Sequence, residues 1–322
     1  MRATFYDQQA ANRRLSLLLM LSVAVLLAAL GFSIGFAYTG AIEGGAGFTV
    51  LAVILGIALS VGSYYGGDSV VLRASGATPA DPVRDQQLLN VVQEMAIAAN
   101  VPMPKVYLID DSAPNAFATG RDPEHASVAI TTGLLEKLDR EALQGVMAHE
   151  LGHVRNLDIR FLLLIGVLVG GIALLADMFL RSLWWGGGRR RSRSDGGGGA
   201  QAIMMIVALV LAILAPIAAR LVQMSVSRQR EYLADATAVE LTRNPVGLER
   251  ALATIATDRE VLEVANRATQ HLYIVNPIKK FEERASGMFS THPPIVDRIN
   301  RLRELRAAAP LSDEERAALA GL

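Results

Sequence analysis

A chain of 322 residues that is 52% apolar, with a mean hydropathy of +0.32, is greasier than an ordinary soluble domain. Its 31 Lys and Arg balance 31 Asp and Glu, so no charge excess steers it toward nucleic acid or strongly acidic partners. There is no cysteine, which excludes a disulfide framework, thiolate metal ligands and a thiol nucleophile.

The apolar excess is gathered in runs. Residues 15–37 hold no charge over 23 positions and residues 48–65 none over 18, each near the length that crosses about 30 Å of hydrocarbon. The first run is longer than a signal-peptide core and lacks a convincing A-x-A site before the second, so the pair reads as a retained transmembrane hairpin. Residues 161–180, apolar apart from Asp177, and residues 202–219, broken only by Pro216, form a second candidate pair. The Gly-, Ser- and Arg-rich stretch between them cannot build a packed core and reads as a loop.

Charge near the span ends gives an orientation. Arg2, Arg13 and Arg14 precede the first run, while residues 38–47 contain no Lys or Arg, so the N-terminus is expected on the cytoplasmic side. Arg73, Arg155, Arg160, Arg220, Arg228 and Arg230 then fall on that side too. Arg181, Arg189, Arg190, Arg191 and Arg193 oppose this order if the second pair crosses fully; otherwise that pair lies in the interface.

Beyond the first hairpin, a Pro-punctuated linker at 77–82 leads into a helix at 86–99 with Leu88, Leu89, Val92, Met95 and Ala96 on one face. Three short strands are expected at 105–109 (KVYLI), 115–119 (NAFAT) and 127–132 (SVAITT), the last two joined by a turn at 120–123. A sheet edge beside a reactive site can pair with an extended peptide, which would give Asn115, Ala116 and Phe117 a substrate-binding role. An ordinary structural hairpin accounts for the same residues.

Gly133 and the charged run that follows read as a turn and helix start, after which His149-Glu150-Leu151-Gly152-His153 spells H-E-x-x-H. On a helix the two imidazoles share a face about 6 Å apart, as one metal ion requires. Glu150 lies round the helix from both, placed to take a proton from a water that the metal activates. Two histidines do not complete a catalytic site; a third protein ligand is needed. Past the second apolar pair, Glu231 and Asp235 in SRQREYLAD share a helix face, so one carboxylate can ligate while the other orients a histidine, although exposed helices carry such pairs routinely. A helical region is then expected to about residue 267, with Leu248, Leu252, Ile255 and Leu262 as core. His292, on the Pro-stiffened STHPP loop before an amphipathic helix at 295–305, could donate to a developing oxyanion, although a surface histidine fits as well. His125 and His271 read as structural or solvated.

The N-terminal pair of runs, HELGH at 149–153, SRQREYLAD at 227–235 and STHPP at 290–294 together resemble the HtpX-type membrane zinc proteases, relatives of the CAAX prenyl endopeptidases. The resemblance implies one zinc ion per subunit on His149, His153 and Glu231, Glu150 as base and Asp235 behind the ligands. It implies that His292 and Arg298 steady the tetrahedral intermediate and the site, and that NAFATG aligns substrate. The fold expected is mainly α with a small antiparallel β-sheet (α+β), a zincin-like domain carried on transmembrane helices. Four segments are expected: a hairpin at 1–66, the first part of the protease at 67–160, a second hairpin at 161–222 and the rest of the protease at 223–322.

The function expected is a zinc-dependent endopeptidase of the cytoplasmic membrane, its site facing the cytosol, with peptide or protein substrates. The resemblance alone adds a role on misfolded or damaged membrane proteins. Three rivals are weighed. An intramembrane protease fits poorly with the charges crowded around the motif. A non-catalytic scaffold or chaperone with a structural metal has no use for Glu150. A CAAX-type protease tends to carry more spans.

Overall fold

The structure, a computed structural model, describes residues 5–186, 198–258, 260, 274 and 292–320. Among these residues lie helices α1 (Phe5–Thr39), α2 (Ile42–Ala74), α3 (Gln86–Ala99), α4 (Thr132–Lys137) and α5 (Arg140–Arg155). They are followed by α6 (Asp158–Gly186), α7 (Gly198–Thr242), α8 (Pro245–Thr257), α9 (Ile295–Leu305) and α10 (Asp313–Ala320). The strands are β1 (Thr78–Pro79), β2 (Lys105–Ile109), β3 (Ala116–Thr119) and β4 (Ser127–Thr131). The chain forms two compact units, one from Arg13–Tyr64 and Leu162–Val226, the other mainly from Tyr65–Phe161 and Ser227–Leu322.

In the first unit Leu27, Leu30, Ile34, Ile165, Ile172 and Phe179 are buried together against a row of Ala208, Ala212, Ala215 and Ala219. The outward positions are apolar as well: Leu17, Leu21, Ile54, Ile57, Ile206 and Ile213 are all more than half exposed or close to it. Water gives no reason for a bundle that is apolar inside and out, whereas lipid does. Among the described residues four helices are long and apolar enough to cross a membrane, Leu17–Thr39, Ile42–Ala74, Leu164–Trp184 and Gly199–Thr242. They outrun the uncharged stretches read from the sequence, since α1, α2, α6 and α7 span 35, 33, 29 and 45 residues. Arg181 Nε donates to Asp177 Oδ2 at 2.7 Å, one turn away on α6. Arg189, Arg190, Arg191 and Arg193 lie outside the described residues.

The second unit is built on a four-stranded sheet of order β1-β2-β4-β3. β3 and β4 form the expected antiparallel hairpin, Phe117 opposite Ala129, and β1 lies antiparallel to β2. β2 and β4 run parallel, Leu108 opposite Ile130, so the sheet is mixed where an antiparallel one was expected. The reason is topological: β4 pairs antiparallel with β3 and inserts between it and β2, so it runs in the direction of β2 and leaves β3 at the edge. Burial pattern in a short apolar strand says nothing about the direction of its neighbours. The turn at 110–115 that reverses the chain is pinned by polar contacts: Asp111 Oδ1 accepts from the Ala113 N–H at 2.9 Å, and Thr131 Oγ1 from the Asn115 N–H at 2.9 Å.

Thr131 closes β4 and caps α4, accepting from the Leu134 N–H, so the expected turn is a short helix. Asp139 then caps α5, its Oδ1 accepting from Ala142 N at 2.8 Å. α5 packs on α3, α8 and β3, and every residue from 145 to 154 is buried. Leu248, Leu252 and Ile255 of α8 fill the core as expected. Leu262 and the rest of the helical region expected to residue 267 lie outside the described residues. α5 and α8 approach backbone to backbone: a Cβ on Gly145 would stand 2.5 Å from Leu248 N, and one on Gly247 2.5 Å from the Glu141 carbonyl. Gly145→Ala is therefore expected to push the helices apart and lower the melting temperature by several degrees, as overpacking costs about 1–3 kcal/mol. Its zinc content, measured alongside, is expected to fall, since the motif begins one turn further on.

Candidate metal centre

The buried stretch of α5 carries His149 and His153 on one face, and α7 delivers Glu231 against them. One ligand atom from each lies within 4.8 Å of the other two. The two Nε2 atoms are 3.2 Å apart, and Glu231 straddles them, Oε1 at 3.4 Å from His153 Nε2 and Oε2 at 3.5 Å from His149 Nε2. Two imidazole lone pairs this close repel unless a cation lies between them, and a carboxylate facing both is the complement of a positive charge. Two nitrogens and one oxygen, leaving a fourth position open, suit zinc.

Both histidines are turned by carboxylates behind them. His149 Nδ1 lies 2.9 Å from Asp235 Oδ1, and His153 Nδ1 lies 3.0 Å from Asp158 Oδ2. A carboxylate on Nδ1 fixes the proton there and leaves Nε2 to bind metal. Burial by itself would lower the basicity of His153, but Asp158 and Glu231 outweigh it and push its pKa up to about 10. His149 is raised too, against burial, by Asp235 and Glu231. The centre thus favours a cation. Glu150, at 1% exposure, has its pKa raised by burial, an effect the neighbouring histidines partly oppose. Its Oε1 accepts no hydrogen bond among the described residues.

Arg298 enters from α9 and is 1% exposed. Its Nε and Nη2 grip Asp235 at 2.9 and 2.7 Å, and its Nη1 reaches Glu231 Oε2 at 3.1 Å. Burial opposes its charge, yet Asp235 and Glu231 hold it above the ordinary arginine value. His292, also buried, places Nε2 at 4.0 Å from Glu231 Oε1. The structure therefore gathers His149, Glu150, His153, Glu231, Asp235, His292 and Arg298 in one place.

Asn115, Ala116 and Phe117 lie on the neighbouring edge and are buried. The outer side of β3 is met there by Ile274, whose N–H donates to the Ala116 carbonyl at 2.9 Å and whose own carbonyl accepts from Arg298 Nη1 at 2.8 Å. His125 stands away from the centre in an exposed 3-10 turn with Asp122, and His271 lies outside the described residues.

Asp158, Arg230 and Ile274 were not singled out from the sequence. Asp158 counted only as one of several charges flanking the motif, and Arg230 only as a cation at a span end. The available signal was a carboxylate opening the helix that follows HELGH.

The sequence model of peptidase family M48 matches residues 82–306, a stretch that holds every residue of this centre. The chain belongs to peptidase family M48. Among its relatives, the protease HtpX homolog of Caldanaerobacter subterraneus subsp. tengcongensis is 42% identical over 304 residues, covering 94% of this chain and 99% of the relative. That of Limosilactobacillus reuteri is 45% identical over 302 residues, covering 93% and 99%. The crystal structure of S. mikatae Ste24p is similar at 18% identity and a TM-score of 0.49, over 92% of this chain and 67% of that one. This M48 chain is a zinc-dependent membrane endopeptidase, a hydrolase of peptide or protein substrates, and its His149, His153 and Glu231 form a cluster able to hold the metal.

Proposed function

We infer that this M48 protease works at the cytoplasmic membrane with its centre facing the cytosol, and that it cuts misfolded or damaged membrane proteins. Peptide hydrolysis rests on one observation: two oriented histidines and Glu231 converge beside a buried carboxylate, Glu150, that has an oxygen to spare; the orientation rests on the basic residues near the span ends and the substrate class on the family resemblance. His149, His153 and Glu231 hold the zinc, which when bound supplies Lewis acidity to a water and to the scissile carbonyl. Glu150 takes the proton from the attacking water and returns it to the leaving nitrogen; its burial raises its pKa and so favours its holding that proton between the two steps. His292 donates through Nε2 to the developing oxyanion. Arg298 steadies Asp235 and Glu231, and through them the ligand set. Asn115, Ala116 and Phe117 align the peptide, which at Ala116 replaces the hydrogen bond now made by Ile274.

Detergent-purified protein is expected to cleave casein, to stop when the metal is chelated and to resume when zinc is restored. A failure to resume with zinc, or cleavage that ignores the chelator, sinks the metal assignment. For the substrate class, a membrane protein co-reconstituted in native and in heat-damaged form is expected to be cut faster when damaged. Equal rates would remove the quality-control reading and leave the peptidase standing.

The orientation has its own test, helped by the absence of native cysteine. The turn between α1 and α2 lacks basic residues, while Arg2, Arg13 and Arg14 lie before α1's apolar run. A single cysteine at Glu43, an exposed position, is expected to react with an impermeant maleimide on intact spheroplasts. One at the exposed Ser312 is expected to stay unlabelled until the membrane is breached. The opposite pattern overturns the cytosolic centre.

A further inference from the structure

His149 and His153 each head a chain of the same composition, a carboxylate and then an arginine. His149 leads to Asp235 and then Arg298, the route already described. His153 leads to Asp158, 3.0 Å from its Nδ1, and the other oxygen of Asp158 is taken by Arg230 Nη1. Asp158 is fully buried and Arg230 is 3% exposed, with its guanidinium stacked 4.3 Å from the centroid of the Phe161 ring. No solvent competes for either charge, so the pair holds its geometry firmly.

The backbone is bent to make this contact. Leu157, between α5 and α6, has φ +59°, a left-handed conformation that a leucine rarely adopts. Asn156 before it is buried and donates from Nδ2 to Thr237 Oγ1 at 3.3 Å, fixing the bend to α7. Strain of this kind persists where surrounding structure imposes it, and here its result is to return Asp158 to the histidine five positions earlier. Arg230 is the residue immediately before Glu231.

We propose that Asp158 is the positioning residue for His153 and that Arg230 holds it in place, so that together they set the zinc affinity of the centre. The carboxylate keeps the Nδ1 proton on its own side and the ring turned so that Nε2 faces Glu231. Asp158 opens α6 and Arg230 stands on α7, close to the points at which the chain leaves this unit after Phe161 and rejoins it at Ser227. The pair that orients the ligand is thus also the clasp between those two points, and zinc affinity depends on the clasp being closed.

This rests on His153 and Glu231 being ligands, and the experiment separates the two claims. Zinc affinity is measured by chelator competition on the detergent-purified full chain, with helix content followed by circular dichroism. Asp158→Leu combined with Arg230→Met removes both charges and leaves no buried ion alone, so a merely structural ion pair predicts a folded protein with unchanged affinity. The positioning role predicts a folded protein that binds zinc about 10- to 100-fold more weakly. Arg230→Met alone, which touches no ligand, is expected to weaken zinc in the same direction. Asp158→Asn covers the case in which the double variant does not fold: it keeps the shape and an acceptor, and is expected to lose about tenfold in affinity. Affinity within twofold of the parent in whichever of these variants folds overturns the proposal. Glu231→Ala, run beside them, must lose zinc; if it does not, the ligand assignment itself has failed.

Discussion

Glu150→Gln is expected to keep the zinc and the fold while cleavage drops by about 10² to 10⁴, the usual worth of a general base. The substitution preserves volume, and the glutamate it replaces makes no hydrogen bond through Oε1 among the described residues, so an amide nitrogen placed there displaces no partner. Stability is expected to hold or rise slightly, because burying the neutral amide is easier than burying a carboxylate whose pKa is already raised by desolvation. The measurement is turnover on casein beside metal content and melting temperature. Turnover within a few fold of the parent would remove Glu150 from the reaction.

Glu231→Ala is expected to fail differently, by letting the metal go. Among the described residues Glu231 is the one carboxylate that faces both Nε2 atoms, at 3.4 and 3.5 Å. Without it two imidazoles remain, fewer than the three protein ligands a catalytic zinc site carries. The loss should exceed the 10- to 100-fold that follows removal of an outer partner. Arg298 keeps Asp235 and the Ile274 carbonyl as partners, so the fold is expected to survive with a lower melting temperature. Metal stoichiometry unchanged under chelator competition would place the third ligand elsewhere. The two variants together distinguish an empty site from a filled but inert one.

The chemistry of this centre was legible because it is written in local spacing. HELGH announces itself on one helix, and Glu231 with Asp235 repeats the same four-residue interval on another. What brings the two helices together is not local, and neither is the entry of Arg298 from α9 and His292 beside it; Arg298 was reached only through resemblance, and His292 was read as an oxyanion donor or a surface histidine until the resemblance favoured the first. The apolar runs were legible because lipid demands length, but α7 continues unbroken from one of them to Glu231, which no run of hydropathy could reveal. The parallel pairing of β2 with β4 was missed because both strands are short and largely buried, and pairing direction leaves no trace in a sequence of that kind. Asp158 was missed because an acidic residue at the start of a helix ordinarily needs no further explanation.

The contact of Gly145 and Gly247 with the facing backbones bears on how this enzyme should respond to heat. Most helix contacts loosen gradually on warming, because side chains at the seam exchange rotamers before the backbones part. Here two seams of main chain touch with no side chain between them, one turn ahead of His149. There is no rotamer through which the contact can soften, and α5 also lies close on the helix of Glu231, where a Cβ on Gly152 would stand 3.4 Å from the Ala234 carbonyl. Metal release on heating should therefore coincide with unfolding of the unit in a single transition, in place of a cofactor that bleeds away from an otherwise intact protein.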